Sequence, residues 1–128
     1  MISDYFQQME TKSSEMRIIS EKSIEFREFD IDEGFIKGTI LFIDGSMLEL
    51  MEYLKGEIRL KYRFHYMNEM GQLIFRYDNA PHHKVSTFPD HKHIAEGVIA
   101  SSPQKLPDVL NEIEMFISGR SWASVRPL

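Results

Sequence analysis

Apolar and polar residues alternate strictly from residue 58 to residue 66, and this pattern constrains the fold more than any other feature of the chain. A period of two over such a length is typical of a β-strand that buries one face. Residues 68–71 then supply turn chemistry, including a glycine that can take positive φ. A second alternating segment follows from Leu73 to Tyr77. The two segments therefore predict a β-hairpin.

The register of this hairpin can be predicted from its hydrophobic pattern. Apolar residues face one another at every step when Phe64 pairs with Phe75, and a shift by one residue would place apolar residues opposite polar ones. This register places Arg63 opposite Arg76 on the other face, where like charges directly opposite are unfavourable. A neighbouring carboxylate or a bound anion would relieve the repulsion. The alternative is an ordinary solvated sheet face, on which arginine and lysine only maintain solubility.

The remaining segments predict helices at both ends of the chain and strands between them. Residues 3–19 and 106–118 carry apolar residues at helical spacing, whereas residues 22–31, 35–43 and 46–54 have the character of strands. Short turns between consecutive strands favour an antiparallel meander. The sequence therefore predicts an α+β domain, in which a five-stranded, mostly antiparallel meander sheet carries an N-terminal and a C-terminal helix on one face. A short segment before the second helix, residues 97–100, is a candidate for one further strand.

The length of 128 residues suits a single domain spanning residues 1–128. Its tail, about 120–128, is expected either to dock through Trp122 or to bind a partner. The net charge of −5 argues against nucleic-acid binding over the whole surface, but not against a local basic site. The absence of cysteine, of a signal peptide and of a membrane-spanning apolar run favours a cytoplasmic protein with no membrane partner. The methionine-bearing apolar stripe of the first helix makes a homodimer a candidate assembly.

All five histidines fall in one part of the chain, namely His65, His82, His83, His91 and His93. Histidine is the natural acid or base near neutral pH and a common metal ligand. The last four lie in a segment without clear periodicity, and irregular segments of this length are often functional. Structural zinc usually has four ligands with cysteine prominent, and there is no cysteine here. We therefore predict no cofactor, with a metal held by the last four histidines as the alternative.

Candidate functional residues surround the predicted hairpin. The predicted catalytic residues are His65, Arg76, Asp78, His82 and His83. Those predicted to bind substrate are Lys61, Arg63, His91 and His93. Ribonuclease chemistry without metal needs a base for the 2′-OH, an acid for the leaving oxygen and cations for the phosphate, and this set contains a candidate for each. Glu52 shares the phase of an apolar row, so it should be paired or lie at the edge of the core. It either reaches water through the twist of its strand or is a carboxylate that supports the basic hairpin.

Two runs of sequence resemble a known family. These are L-I-F-R-Y-D-N-A-P-H-H from Leu73 to His83 and T-F-P-D-H-K-H from Thr87 to His93. They resemble the TumE-type toxins, small prokaryotic proteins known as toxins of toxin–antitoxin pairs, and the similarity covers roughly residues 35–100. That family often has histidine at the position of Asp90. The resemblance implies a toxin whose partner is a helix-turn-helix antitoxin.

Three functional hypotheses follow from these observations. The first is the toxin of a type II toxin–antitoxin system that is directed at RNA and acts as a metal-independent ribonuclease. The second is a non-enzymatic module that binds a protein through the same face. The third is a metal-dependent hydrolase built on the histidines.

Overall fold

The computed structural model describes residues 1–119, which form two helices and seven strands. These elements are, in chain order, α1 (Ile2–Ser14), β1 (Ile19–Asp30), β2 (Glu33–Phe42), β3 (Met47–Lys55), β4 (Ile58–Met67), β5 (Leu73–Asp78), β6 (His91–Ile94), β7 (Gly97–Ala100) and α2 (Leu106–Ile117). The strands form one antiparallel sheet, in which each strand pairs with the next along the chain. The predicted tail with Trp122 lies outside the described residues.

The prediction of a five-stranded sheet is wrong, because β6 and β7 extend the meander to seven strands. Strand β6 has only four residues, and its sequence H-K-H-I has no apolar alternation that would distinguish it from a loop. It pairs with β5, where His91 lies opposite Asp78. The segment that we treated as a candidate strand is β7. The first helix also ends at Ser14, earlier than predicted, and Ile19 begins β1.

Both helices pack on one face of the sheet, as predicted, and the hydrophobic core lies between the two layers. The sheet contributes three fully or nearly buried aromatic residues from β4, namely Tyr62, Phe64 and Tyr66. Tyr66 also contacts the ring of Phe116 on α2 edge to face, with 5.9 Å between ring centroids. Helix α1 lies close to β2, where a Cβ atom on Gly34 would come within 2.6 Å of Phe6 Cζ. Neither helix within residues 1–119 is long and apolar enough to cross a membrane.

The predicted hairpin of β4 and β5 is confirmed, but its predicted register is wrong. Phe64 pairs with Tyr77 rather than with Phe75, and the register shifts between Tyr66 and Met67. A slip of two residues keeps every side chain on its own face, so the hydrophobic pattern cannot detect it.

The observed register changes which charged residues lie opposite one another on the other face of the hairpin. Arg63 lies opposite Asp78, and Arg76 lies opposite His65. The expected repulsion between directly opposed arginines is therefore absent, and it gives no reason to expect a bound anion. The two arginines still share the face opposite to the buried aromatic residues.

The alternation predicted for the start of β4 is also interrupted. The pairing with β3 has an irregularity beside Tyr53, after which Arg59 lies opposite Leu54. Ile58 and Leu60 are consequently exposed. The side chain of Arg59 turns instead toward the helices, where it contacts the carboxylate of Glu52.

Candidate functional site

Two adjacent rows of side chains, all polar except Met51, cross the sheet on the face that the helices do not cover. Each row follows the pairing of β3, β4, β5 and β6. One row consists of Glu49, His65, Arg76 and His93, and the other consists of Met51, Arg63, Asp78 and His91. We call these eight residues the polar face. They include two arginines, three histidines and two carboxylates, and they come from positions 49 to 93 of the chain.

Three histidines and one aspartate converge at the β6 side of the polar face. The rings of His83, His91 and His93 have centroids 4.9 to 5.1 Å apart, and their potential ligand atoms all lie within 4.8 Å of one another. The Nε2 atoms of His91 and His93 are 3.1 Å apart. Asp78 Oδ1 lies 2.9 Å from His91 Nε2, and Asp78 Oδ2 lies 3.5 Å from His93 Nε2. We call these four residues the histidine cluster.

A backbone carbonyl fixes the orientation of the most buried ring in the cluster. His91 is fully buried, and its Nδ1 lies 2.8 Å from the carbonyl oxygen of Pro89. A carbonyl oxygen only accepts hydrogen bonds, so Nδ1 must carry the proton. In the neutral ring, Nε2 is then left with a lone pair, and this lone pair is directed toward Asp78 and His93.

Burial lowers the pKa of His93 below its usual value, and nearby positive charge adds to the effect, although Asp78 acts in the opposite direction. His93 is therefore mainly neutral near pH 7. A neutral imidazole can accept a proton or bind a metal ion, which a protonated ring cannot do.

A second pair of polar groups lies beside the cluster. The Nε–H of Arg76 donates a hydrogen bond to His65 Nδ1 at 3.1 Å. Burial, and next the positive charge of Arg76, lowers the pKa of His65 below its usual value. His65 is therefore neutral near pH 7, and its Nε2 is the nitrogen that carries a proton. The pair presents a guanidinium and an N–H donor on the polar face.

The other predicted residues lie outside this arrangement to different degrees. Lys61 is exposed and lies opposite Tyr53, at one end of the polar face. His82 is exposed and does not join the cluster that its neighbour His83 enters. Asp90, which was not among the predicted site residues, accepts a hydrogen bond from Tyr62 Oη at 2.6 Å.

The supporting carboxylate was predicted for the wrong side of the sheet. Glu52 is fully buried under the helices, where it accepts hydrogen bonds from Tyr5 at 2.7 Å and Arg59 at 3.2 Å. Its Oε1 atom has no hydrogen-bond partner among residues 1–119. Burial raises its pKa above the usual value, although Tyr5 and Arg59 act in the opposite direction. Glu52 therefore serves the core, and its location excludes contact with a substrate on the polar face.

Sequence reasoning missed one carboxylate that the structure places on the polar face. Glu49 is exposed and pairs with His65 across β3 and β4. Its position between the buried residues Leu48 and Leu50 is the signal that could have identified it, because adjacent side chains of a strand point to opposite faces.

Comparison with known proteins now identifies the family. A family model described as Toxin TumE matches residues 9–120 of the 128-residue chain. The chain belongs to the TumE toxin family. The match includes every residue of the polar face and of the histidine cluster, and it extends beyond the resemblance seen at residues 35–100. Comparison with curated proteins and with solved structures gave no significant match. Membership in this toxin family also implies an antitoxin partner.

Proposed function

We propose that this TumE family member is the toxin of a type II toxin–antitoxin system and that it cleaves RNA at the polar face. The observation that supports this proposal is the position of the Arg76–His65 pair directly beside the histidine cluster. An arginine guanidinium is suited to phosphate because it forms two parallel charge-assisted hydrogen bonds. His93, whose pKa burial lowers, supplies a neutral imidazole that can accept a proton.

The reaction that fits these groups is attack of a ribose 2′-oxygen on the adjacent phosphorus. The 2′-OH proton passes to a base held at the histidine cluster, and the bond from phosphorus to the 5′-oxygen breaks. The leaving oxygen takes a proton from solvent, which gives a cyclic phosphate and a 5′-hydroxyl. Arg76 neutralises the charge that develops on the phosphate, while His65 Nε2–H donates to one of its oxygens.

The partners follow from the family and from the substrate. We propose a helix-turn-helix antitoxin as the protein partner, in line with the resemblance described above. RNA is the proposed substrate, and the cytoplasm is where such a toxin would encounter it. The net charge of −5 leaves Arg63, Arg76 and Lys61 as a local attraction for phosphate rather than part of a basic surface.

The test compares growth arrest in cells and RNA cleavage by purified protein. Arg76→Ala should lower cleavage by about 100-fold or more, the scale seen when one group that stabilises transition-state charge is removed. Arg76→Lys should recover only part of the activity, because lysine contacts phosphate as a point charge. Arg17→Ala is the matched control, since Arg17 is an exposed arginine outside the sheet.

The outcomes of this test distinguish a toxin that cleaves RNA from a toxin that acts by binding a protein. Growth arrest with RNA cleavage, both lost in Arg76→Ala and kept in Arg17→Ala, supports the proposal. Growth arrest without RNA cleavage, undiminished in Arg76→Ala, would contradict it and would favour a toxin that acts by binding a protein. A thermal melt of each variant checks that folding is unchanged.

A further inference from the structure

We propose that His83, His91 and His93 are the ligands of a divalent transition-metal ion, with the carboxylate of Asp78 beside it. Such a site goes beyond the proposed action on RNA, because ion binding requires no substrate. With the ion bound, the rings are ligands, and the base for the 2′-OH proton would be a water on the ion rather than a free imidazole. It also differs from the site predicted from sequence, since it excludes His82 and includes Asp78.

The distances within the cluster fit ligands that share one ion. Nitrogen ligands about 2.0–2.1 Å from a tetrahedral zinc ion lie roughly 3.3–3.4 Å from one another. The Nε2 atoms of His91 and His93 are 3.1 Å apart, close to that separation. His83 brings a third ring into contact with both, at 4.9 and 5.1 Å between centroids. Small rotations of the rings would therefore direct three nitrogens at one point.

The hydrogen bond from His91 Nδ1 to Pro89 provides the second argument. A metal-binding histidine characteristically donates its other ring N–H to a carbonyl or carboxylate, which fixes the ring and its tautomer. His91 has this arrangement, with 2.8 Å between Nδ1 and the Pro89 oxygen. Its Nε2 lone pair then lies 2.9 Å from a carboxylate oxygen of Asp78. Two acceptors at this distance repel each other unless a cation or a proton lies between them.

The convergence of three rings favours the metal ion over the proton. A proton between His91 Nε2 and Asp78 would account for the position of one ring only. A metal ion satisfies the lone pairs of all three rings together with the carboxylate. Three histidines without cysteine suit Zn²⁺ and Co²⁺ better than Mg²⁺ or Ca²⁺, which prefer oxygen ligands.

The site would also retain an exchangeable position next to the phosphate-binding group. Catalytic zinc commonly has three protein ligands and holds water or substrate at the fourth position. Arg76 pairs with His93 in the register of β5 and β6, so it neighbours the ion on the polar face. Asp78 is placed to hold either the ion or a water bound to it.

The experiment titrates the full chain, freed of any affinity tag and treated with a chelator, with Co²⁺ and then with Zn²⁺. Wild type should bind one equivalent of Co²⁺ with the visible absorption of a four-coordinate ion, and Zn²⁺ should displace it. His83→Ala and His93→Ala should weaken Co²⁺ binding by at least about 100-fold, the upper range for loss of an outer-shell partner. His82→Ala is the matched control, because it removes the adjacent, exposed histidine outside the cluster.

The result does not depend on every variant folding well. His91→Ala removes a fully buried ring and can therefore disturb folding. His83→Ala is the decisive variant, because His83 is partly exposed and lies outside the strands. Near-ultraviolet circular dichroism checks that each variant is folded. The proposal is overturned if wild type binds no stoichiometric Co²⁺, which is the result expected of a proton on His91. It is also overturned if folded His83→Ala binds Co²⁺ as tightly as His82→Ala. No RNA is present, so this result stands or fails separately from RNA cleavage.

Discussion

Replacing Arg59 with alanine is expected to lower the free energy of unfolding by about 3 kcal/mol at pH 7, because Glu52 would be left as a buried charge. Glu52 is fully buried, and Arg59 Nη1 lies 3.2 Å from its Oε2. Removing one partner of a buried ion pair costs roughly 3–5 kcal/mol. The hydrogen bond from Tyr5 at 2.7 Å persists and places the expected cost at the lower end of that range.

Arg59 makes a second contact that must be separated from the first. Its Cζ lies 3.8 Å from the centroid of the Tyr62 ring, a cation–π contact worth about 0.5–2 kcal/mol. The assay is therefore urea unfolding of wild type, Arg59→Ala, Glu52→Gln and the double variant. With glutamine at residue 52, Arg59→Ala should cost only about 1–2 kcal/mol, which leaves a coupling energy of about 1–2 kcal/mol. Arg17→Ala, an exposed control, should change stability by less than about 0.5 kcal/mol.

The dependence on pH provides an independent check of the same reasoning. Burial raises the pKa of Glu52, so the folded state holds the carboxyl proton more tightly than the unfolded state does. The resulting penalty is absent below the unfolded pKa of about 4.3 and grows as pH rises toward the folded pKa. Loss of Arg59 should raise the folded pKa further, so the deficit of Arg59→Ala should shrink as pH falls. Equal costs of Arg59→Ala in both backgrounds, or a deficit independent of pH, would refute the reasoning.

Three further predictions concern the polar face and the core. Burial and the charge of Arg76 lower the pKa of His65, so the folded protein should lose stability as pH falls below about 6.5. His65→Gln should make this loss smaller in urea unfolding between about pH 7.5 and 5.5, and an unchanged slope would contradict the assignment. Asp78→Asn should weaken Co²⁺ binding by about 10–100-fold in the spectroscopic titration, whereas wild-type affinity would show that the carboxylate does not act on the ion. Tyr66→Phe should cost about 1 kcal/mol in thermal or urea unfolding, because its hydroxyl lies 2.7 Å from Ser46 Oγ in the core, and no loss would show that the contact is not stabilising.

Local pattern was sufficient to predict the faces of the hairpin but not the register between its strands. Phe64 and Phe75 are both buried, and Arg63 and Arg76 lie on the opposite face, as the alternation predicts. The register instead depends on an irregularity next to Met67, where the pairing between the two strands shifts. A shift by two residues preserves the burial of every side chain, so it leaves no trace in the hydrophobic pattern.

For Glu52, too, the local sequence pattern predicts the surroundings of the side chain but not its partners. Its phase among leucines predicts a carboxylate that is paired or lies at the edge of the core, and the structure shows that it is buried and paired. The identity of its partners depends on the packing of α1 and on the interrupted alternation at Arg59. Neither is encoded near residue 52, and the predicted role at the basic hairpin failed for that reason.

The histidine cluster could be predicted only in part, because its members come from two elements. His91 and His93 are two residues apart on a strand, so their rings point to the same face. His83 reaches them only because β6 returns antiparallel beside β5 after the intervening residues 79–90. Of the pair His82–His83, which lies outside the strands, only His83 joins the cluster. The sequence does not indicate which of the two would do so.

The departure from the family pattern at Asp90 bears directly on whether a metal site can form in this chain. A histidine at that position would be a third ring in the run from residue 90 to residue 93 and a candidate fourth ligand with His83. Its absence would then suggest an incomplete site. Asp90 instead accepts a hydrogen bond from Tyr62 Oη, and it is not among the described residues whose ligand atoms cluster. The carboxylate that adjoins the rings is Asp78, supplied by β5 through its pairing with His91. The proposed ligand set therefore requires no contribution from residue 90.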